Sequence, residues 1–264
     1  MKVLIITAHP EPYSFNAYVA KNAEHTLQAQ GHSIQFIDLY KEQFDPCEHA
    51  RFYRQRSDES RFDVMREQHH HWDIQKISSD VQRHIALLRE ADLLLLHFPF
   101  WWFGMPAILK GWMDRVFIYG GVYNSKHRHE YGVMKGKKVL ITVTAGASAN
   151  ACAYNGRDGD IRFMLWPPLH ALHYIGYSVL EPYFIYGVRG TRNEREETEL
   201  KNILERSVTD FTDKLSAVEQ WPEIAFNRRD DFNGEMLLKA EAPEYSPFVR
   251  HHSDSWRFFR INQS

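Results

Sequence analysis

Two cysteines in 264 residues, Cys47 and Cys152, are too few for a disulfide framework and share no metal-site spacing. A reducing cytoplasm is the expected setting. Charge of one sign is also lacking: 32 Lys plus Arg against 34 Asp plus Glu leave −2 with His neutral. That balance removes the electrostatic case for a nucleic-acid or anionic-membrane partner. No apolar run approaches the roughly 20 residues of a membrane helix, so no membrane insertion is expected. The opening MKVLIITAHPEP breaks at a polar turn with no small-residue cleavage site behind it, which speaks against secretion. Fifteen histidines, by contrast, make the true charge sensitive to pH.

What is present is an alternation of apolar strands and amphipathic helices. Residues 1–8 form a Val/Ile-rich run that suits a strand buried on both faces. A helix follows, with Ser14 as its cap, Phe15, Tyr18, Val19, Ala23 and Leu27 at helical spacing, and Gly31 at its end. Strands are expected at 33–40, 91–100, 137–145 and 179–186. Further helices are expected at 80–89, after Pro106, at 161–175 and at 193–218. Five strands alternating with five helices imply a doubly wound parallel α/β sheet covered on both faces, because parallel strands need right-handed crossovers. The domain spans 1–219. It carries a polar, irregular insertion at about 41–78 and is followed by an extended C-terminal arm at 220–264, rich in proline and aromatics.

In such sheets ligands bind beyond the carboxyl ends of the strands, near the point where strand order reverses. Three loops there are unusual. His9–Asn16 (HPEPYSFN) enters a helix whose first N–H groups, with Ser14 and Asn16, suit a phosphate; the alternative is that the two side chains only cap the helix. This loop lacks the phosphate-loop lysine and the three-glycine dinucleotide pattern. Pro99–Gly104 (PFWWFG) puts Trp101, Trp102 and Phe103 at a strand end, either as the wall of a pocket for a flat ligand or as buried contact surface. The segment 144–160 is rich in small residues, so a planar ring can approach its backbone, with Tyr154, Asn155 and Gly156 turning over it.

Together these loops resemble the NAD(P)H:quinone oxidoreductases of the flavodoxin-like superfamily, the DT-diaphorase type. The likeness lies in AHPEPYSFN at 8–16, FPFWWFGMPAILKGWMDRVF at 98–117, NGRDGD at 155–160 and GYSVLEPYFIYG at 176–187, and weakly in FNGEMLLKAE at 232–241. The resemblance implies a flavodoxin-like fold, a bound flavin, FAD before FMN, NADPH or NADH as co-substrate, and a homodimer with sites and C-terminal arms at its interface. It implies ping-pong hydride transfer from NAD(P)H to a quinone or similar flat acceptor. Carried over by position, His9, Ser14, Phe15 and Asn16 match the flavin phosphate loop. Pro99, Phe100, Trp101, Trp102 and Phe103 match the segment along the flavin ring, and Thr144, Gly146 and Ala147 the loop at its reactive edge. Tyr123, Trp102, Phe103 and Phe232 are the implied substrate contacts. Tyr154, Asp158 and Gly146 are the implied catalytic set. Two positions depart from the pattern: where mammalian members have a Tyr and a His, this chain aligns Cys152 and Asp158, and a carboxylate there disfavours an anionic reduced flavin.

Two other readings remain open: a redox-sensing regulatory subunit of the potassium-efflux type, with low turnover, and a flavin-free scaffold of the same fold. His69, His70 and His71 are adjacent and cannot converge on one ion in regular structure, so no metal is expected. His251 and His252 resemble a pair in some family members and also suit a solvated surface. Cys152 reads as a small buried thiol.

Overall fold

Strand β1 (Lys2–Thr7) is buried from Val3 onward, as a strand covered on both faces requires. The structure is a computed structural model that describes residues 1–252. β1 lies parallel between β2 (Ser33–Asp38) and β3 (Leu93–Pro99), and β3 pairs in parallel with β4 (Lys138–Ala145). Two short strands, β5 (Ser178–Val179) and β6 (Tyr183–Tyr186), occupy successive stretches of the far side of β4. The order β2-β1-β3-β4-β5 makes a flavodoxin-like sheet.

Helix α1 (Phe15–Ala29) sends Val19, Ala23 and Leu27 onto one face of the sheet. There they meet Val3, Ile5, Leu93 and Leu95, together with Leu204, Val208, Phe211 and Leu215 of the last helix. Each such side chain contributes about 1.5–3 kcal/mol when fully buried. Two helices packed on each other cover the opposite face: α3 (Ser79–Glu90), with Val81, Ile85 and Leu88 inward, and α4 (Ala107–Val116), with Leu109, Trp112 and Val116 inward.

The single fifth strand expected at 179–186 is split. From Val179 to Tyr183 the chain advances four residues while its partners Val139 to Thr142 advance three, so one residue bulges out. Pro182 cannot donate to the ladder, and the neighbouring Leu180 bridges to Glu223 while Glu181 N–H donates to Pro222. The helix expected at 161–175 is likewise two, α5 (Ile161–Met164) and α6 (Trp166–Tyr174). Pro167 and Pro168 lack the N–H groups that would bond Phe163 and Met164, so a continuous helix is impossible. The last helix, α7 (Glu194–Leu215), opens on Asn193, whose side chain accepts from Glu196 N–H at 2.9 Å, with three glutamates in its first turn.

The insertion at 41–78 is not irregular throughout. It holds a 3-10 turn (Ala50–Phe52) and helix α2 (Val64–Asp73), which is capped by Asp63 onto Arg66 N–H. The buried face of α2 consists of Glu67, Gln68 and His71. A polar buried face carries no hydrophobic periodicity, which is why the helix is invisible in the pattern. Gly111 lets α4 touch the insertion: a Cβ there would sit 2.1 Å from Pro46 O.

Backbone contacts divide the chain into Met1–Glu223 and Ile224–Ser264. Within the second unit, the described residues hold turns, a short 3-10 segment (Arg229–Asp231) and the bridges Phe232–Leu238 and Ser246–Val249. The end of the expected arm, 253–264, lies outside the described residues. Among the described residues no helix is long and apolar enough to cross a membrane.

Candidate functional site at the carboxyl edge of the sheet

The reversal of strand order falls between β1 and β3. The loops after β1, β3 and β4 therefore leave the same edge of the sheet side by side. Thr144 clasps them together. Its carbonyl accepts from Phe100 N–H at 2.7 Å, and its hydroxyl donates to Asn16 Oδ1 at 2.8 Å across 128 residues of sequence. Beneath it His97 Nδ1 and Thr142 Oγ1 lie 2.7 Å apart, both fully buried. Burial, aided by the nearby His9, lowers the His97 pKa to about 3 and keeps the ring neutral.

In the first loop, Ser14 Oγ accepts from Ala17 N–H at 3.2 Å and so caps α1. Asn16 is buried and committed to Thr144. The capping bond is made by Ser14, while the Asn16 amide ties the first loop to Thr144. An anion at this point would be met by the helix N-terminus, whose first turn carries no acidic residue. His9 turns back on its own loop, its Nδ1 3.1 Å from Glu11 N, and its ring lies 5.7 Å from that of Trp101.

The second loop is a two-residue hairpin closed by Trp101 N–H to Gly104 O at 3.0 Å and Gly104 N–H to Trp101 O at 3.1 Å. Its central residues, Trp102 and Phe103, have φ of 50° and 61°. Such a turn normally takes Asn-Gly, and a left-handed conformation costs a bulky residue about 1–2 kcal/mol. Trp102 is 96% exposed and Phe103 57%. Strain and apolar exposure at one point, at the switch of the sheet, are the marks of a surface kept for a ligand.

The third loop folds tightly on buried Cys152, whose N–H bonds to Ser148 O and whose carbonyl accepts from Ile161 N–H. Asp158 N–H reaches Ala151 O at 2.9 Å. Gly156 is required here, since a Cβ would lie 2.2 Å from Asn150 O. Gly146 is exposed, and only Val188 O, at 3.5 Å, approaches the place of its missing Cβ. Ala147 O is held by Gly187 N–H, so the open stretch of backbone is fixed.

The comparisons agree with this geometry. A family profile described as flavodoxin-like fold matches residues 1–207. The mouse ribosyldihydronicotinamide dehydrogenase [quinone] is 35% identical over 207 residues, 78% of this chain and 90% of that protein. The rat NAD(P)H dehydrogenase [quinone] 1 is 30% identical over 245 residues, 92% and 88% of the two chains. A crystal structure of a putative quinone reductase from Klebsiella pneumoniae superposes with a TM-score of 0.81 at 30% identity, covering 90% of this chain and 94% of that one. The chain belongs to the NAD(P)H quinone oxidoreductase family, on a flavodoxin-like fold.

Family membership sharpens what is peculiar to this member. Tyr154 is 82% exposed on the third loop and Asp158 is exposed beside it. Cys152 lies beneath, its pKa raised by burial and by the Asp158 charge, so it is no ready thiolate. Tyr123 sits after α4, half-buried between the rings of Tyr119 and Tyr174, each 5.6 Å away. Phe232 belongs to the second unit, where it pairs with Leu238. His97 of β3 and Thr142 of β4 support the site and carry no sequence signal, each lying inside a strand whose apolar run masks it. Among the described residues no three His, Cys, Asp or Glu side chains are grouped to hold a metal.

Proposed function

We propose that this chain is a flavin-dependent NAD(P)H:quinone oxidoreductase, with FAD as the flavin, working as a cytoplasmic homodimer. The supporting observation is the strained, exposed Trp102–Phe103 corner after β3 together with the open backbone at Gly146 after β4, on neighbouring strand ends at the carboxyl edge of the sheet. A flat ring fits between an aromatic wall and a backbone without side chains, and the acid-free start of α1 fits the anionic end of the same molecule. A bound flavin supplies the centre that takes hydride from NAD(P)H and passes two electrons to a quinone.

The chain supplies position and polarity. Thr144 fixes the spacing of the three loops, and neutral His97 keeps a buried positive charge from beneath them. The Gly146 N–H is the group assigned to the polar edge of the ring, while Trp102 and Phe103 receive the flat donor and acceptor in turn. Tyr154, exposed on the overhanging loop, is the assigned proton donor, with Asp158 in the place other members give a histidine.

Heat release of the flavin, its identification by chromatography, and anaerobic titration of the native protein with NADPH and NADH test this reading. FAD, bleached by one equivalent of reductant and restored by a quinone, is expected. Colourless protein that takes up no added flavin would contradict it. Slow turnover together with a large effect on a partner would point to the regulatory alternative.

A further inference from the structure

The insertion at 41–78 has no role in the site so far, yet one side of its helix α2 packs on the turn that carries Tyr123. After the buried Ile118 the chain passes through Tyr119, Gly120, Gly121 and the buried Val122 before it reaches Tyr123. Val122 N–H bonds to Ile118 O at 3.1 Å and Gly120 N–H to Tyr123 O at 2.8 Å, which closes the turn. Gly120 has a φ of 87°, a conformation that suits glycine alone. Two successive glycines lose a large amount of conformational freedom on ordering, so such a turn needs to be held from outside.

Three side chains of α2 and α3 hold it. His69 and Trp72, three residues apart on α2 and therefore on one face, both lie against Gly120. A Cβ at Gly120 would sit 3.0 Å from Trp72 Cδ1 and 3.2 Å from His69 Cδ2. The third is Arg89 of α3, which donates to Gly121 O and sets its guanidinium 5.2 Å from the centre of the Trp72 ring. His69 also meets the Tyr119 ring edge-on at 4.8 Å, and its Nε2 lies 3.3 Å from Asp73 Oδ2 on its own helix.

The contact continues to Tyr123. Tyr119 and Tyr123 are bridged through their backbones, and their rings stand 5.6 Å apart and nearly perpendicular. His69 and Trp72 are not part of the buried Glu67, Gln68 and His71 face that seats α2. Their packing on the turn is thus separate from the anchoring of the helix itself.

We propose that His69 and Trp72 are positioning residues for the substrate: through Gly120 and Tyr119 they set where the Tyr123 ring stands, and so how tightly a flat acceptor is gripped. The inference rests on the reading of Tyr123 as a substrate contact of a quinone reductase. It gives α2 a function in acceptor binding although none of its residues lies on the three loops of the sheet edge.

Two measurements on the holoenzyme test it: hydrogen exchange of the peptide spanning 118–124, which requires no turnover, and quinone KM and kcat at saturating NADPH. Trp72→Ala, and His69→Ala at an exposed position, are expected to speed exchange in that peptide and to raise the KM of a benzoquinone about fivefold or more, with flavin content and strand protection unchanged. Trp72→Phe, which keeps a ring on Gly120, should restore both. A mere loss of folded protein would lower kcat and leave KM alone. In a Tyr123→Ala background Trp72→Ala should raise KM no further, because the ring it positions is gone. Unchanged exchange, faster exchange at wild-type KM, or a full further rise in KM without Tyr123 overturns the inference while the reductase reading stands. Wild-type protein that holds no flavin and reduces no quinone overturns that reading, and this inference with it.

Discussion

Trp102 and Phe103 occupy a turn that Asn-Gly would occupy without strain, so the aromatic rings there are retained against a local cost. Replacing the pair by Asn-Gly should therefore stabilise the protein by about 1–3 kcal/mol, raising Tm by several degrees. The same change should strip flavin or substrate affinity by orders of magnitude, since each lost ring contact is worth roughly 2–4 kcal/mol. Thermal unfolding and flavin absorbance on the same sample check both halves. A stabilised variant with full flavin and full turnover would show that the corner serves something else. Thr144→Val tests the clasp: it leaves Asn16 Oδ1 buried without its donor, costing about 1–3 kcal/mol in urea unfolding and weakening flavin retention through the loosened loops. Asp158 is the third residue at issue. The resemblance aligns it with a histidine of mammalian family members, and on the proposed function Asp158→His should speed the quinone half-reaction in stopped flow, with Asp158→Asn intermediate. Equal rates in all three would mean that the exposed carboxylate points away from the ring.

The elements carry the site only as well as their ends are held. The third loop depends on Gly156, and Gly156→Ala should force the 148–160 turn apart, because its Cβ would meet two backbone carbonyls. Loss of flavin with little change in the far-UV spectrum is the expected result. The apolar strands and the α1 face were legible in the sequence because a doubly covered strand leaves an unbroken Val/Ile/Leu run and a packed helix leaves a 3.6-residue period. Helix α2 was not, since Glu67, Gln68 and His71 replace the apolar stripe. The break between α5 and α6 was written in Pro167 and Pro168, and the fifth strand's bulge in Pro182; both yield to proline's missing donor once it is weighed against the apolar pattern. The strain of the aromatic corner leaves no trace in residue types, and the Thr144–Asn16 clasp joins positions too distant for any local pattern to pair.

For the whole molecule, the buried histidines set an acid limit. Burial lowers His97 to about 3 and, with its neighbours His129 and His170, His173 to about 4; His84 is lowered by burial too. Their unfolded pKa is near 6.5, so below that pH the unfolded chain binds more protons than the folded one. Stability from these groups is therefore complete above about pH 6.5 and is lost as the pH falls toward the folded values. By pH 5 the loss should reach about 2–4 kcal/mol, read as a falling urea midpoint. A midpoint unchanged from pH 7 to pH 5 would contradict the neutral buried rings.

One pocket at the switch of the sheet, serving donor and acceptor in turn, is the claim on which the rest depends. Its most direct test is initial-rate kinetics with NADPH varied at several fixed quinone concentrations. Parallel double-reciprocal lines are predicted, because the first product must leave the aromatic corner before the quinone enters. Intersecting lines would require both molecules to be bound at once, which a single shared pocket does not allow.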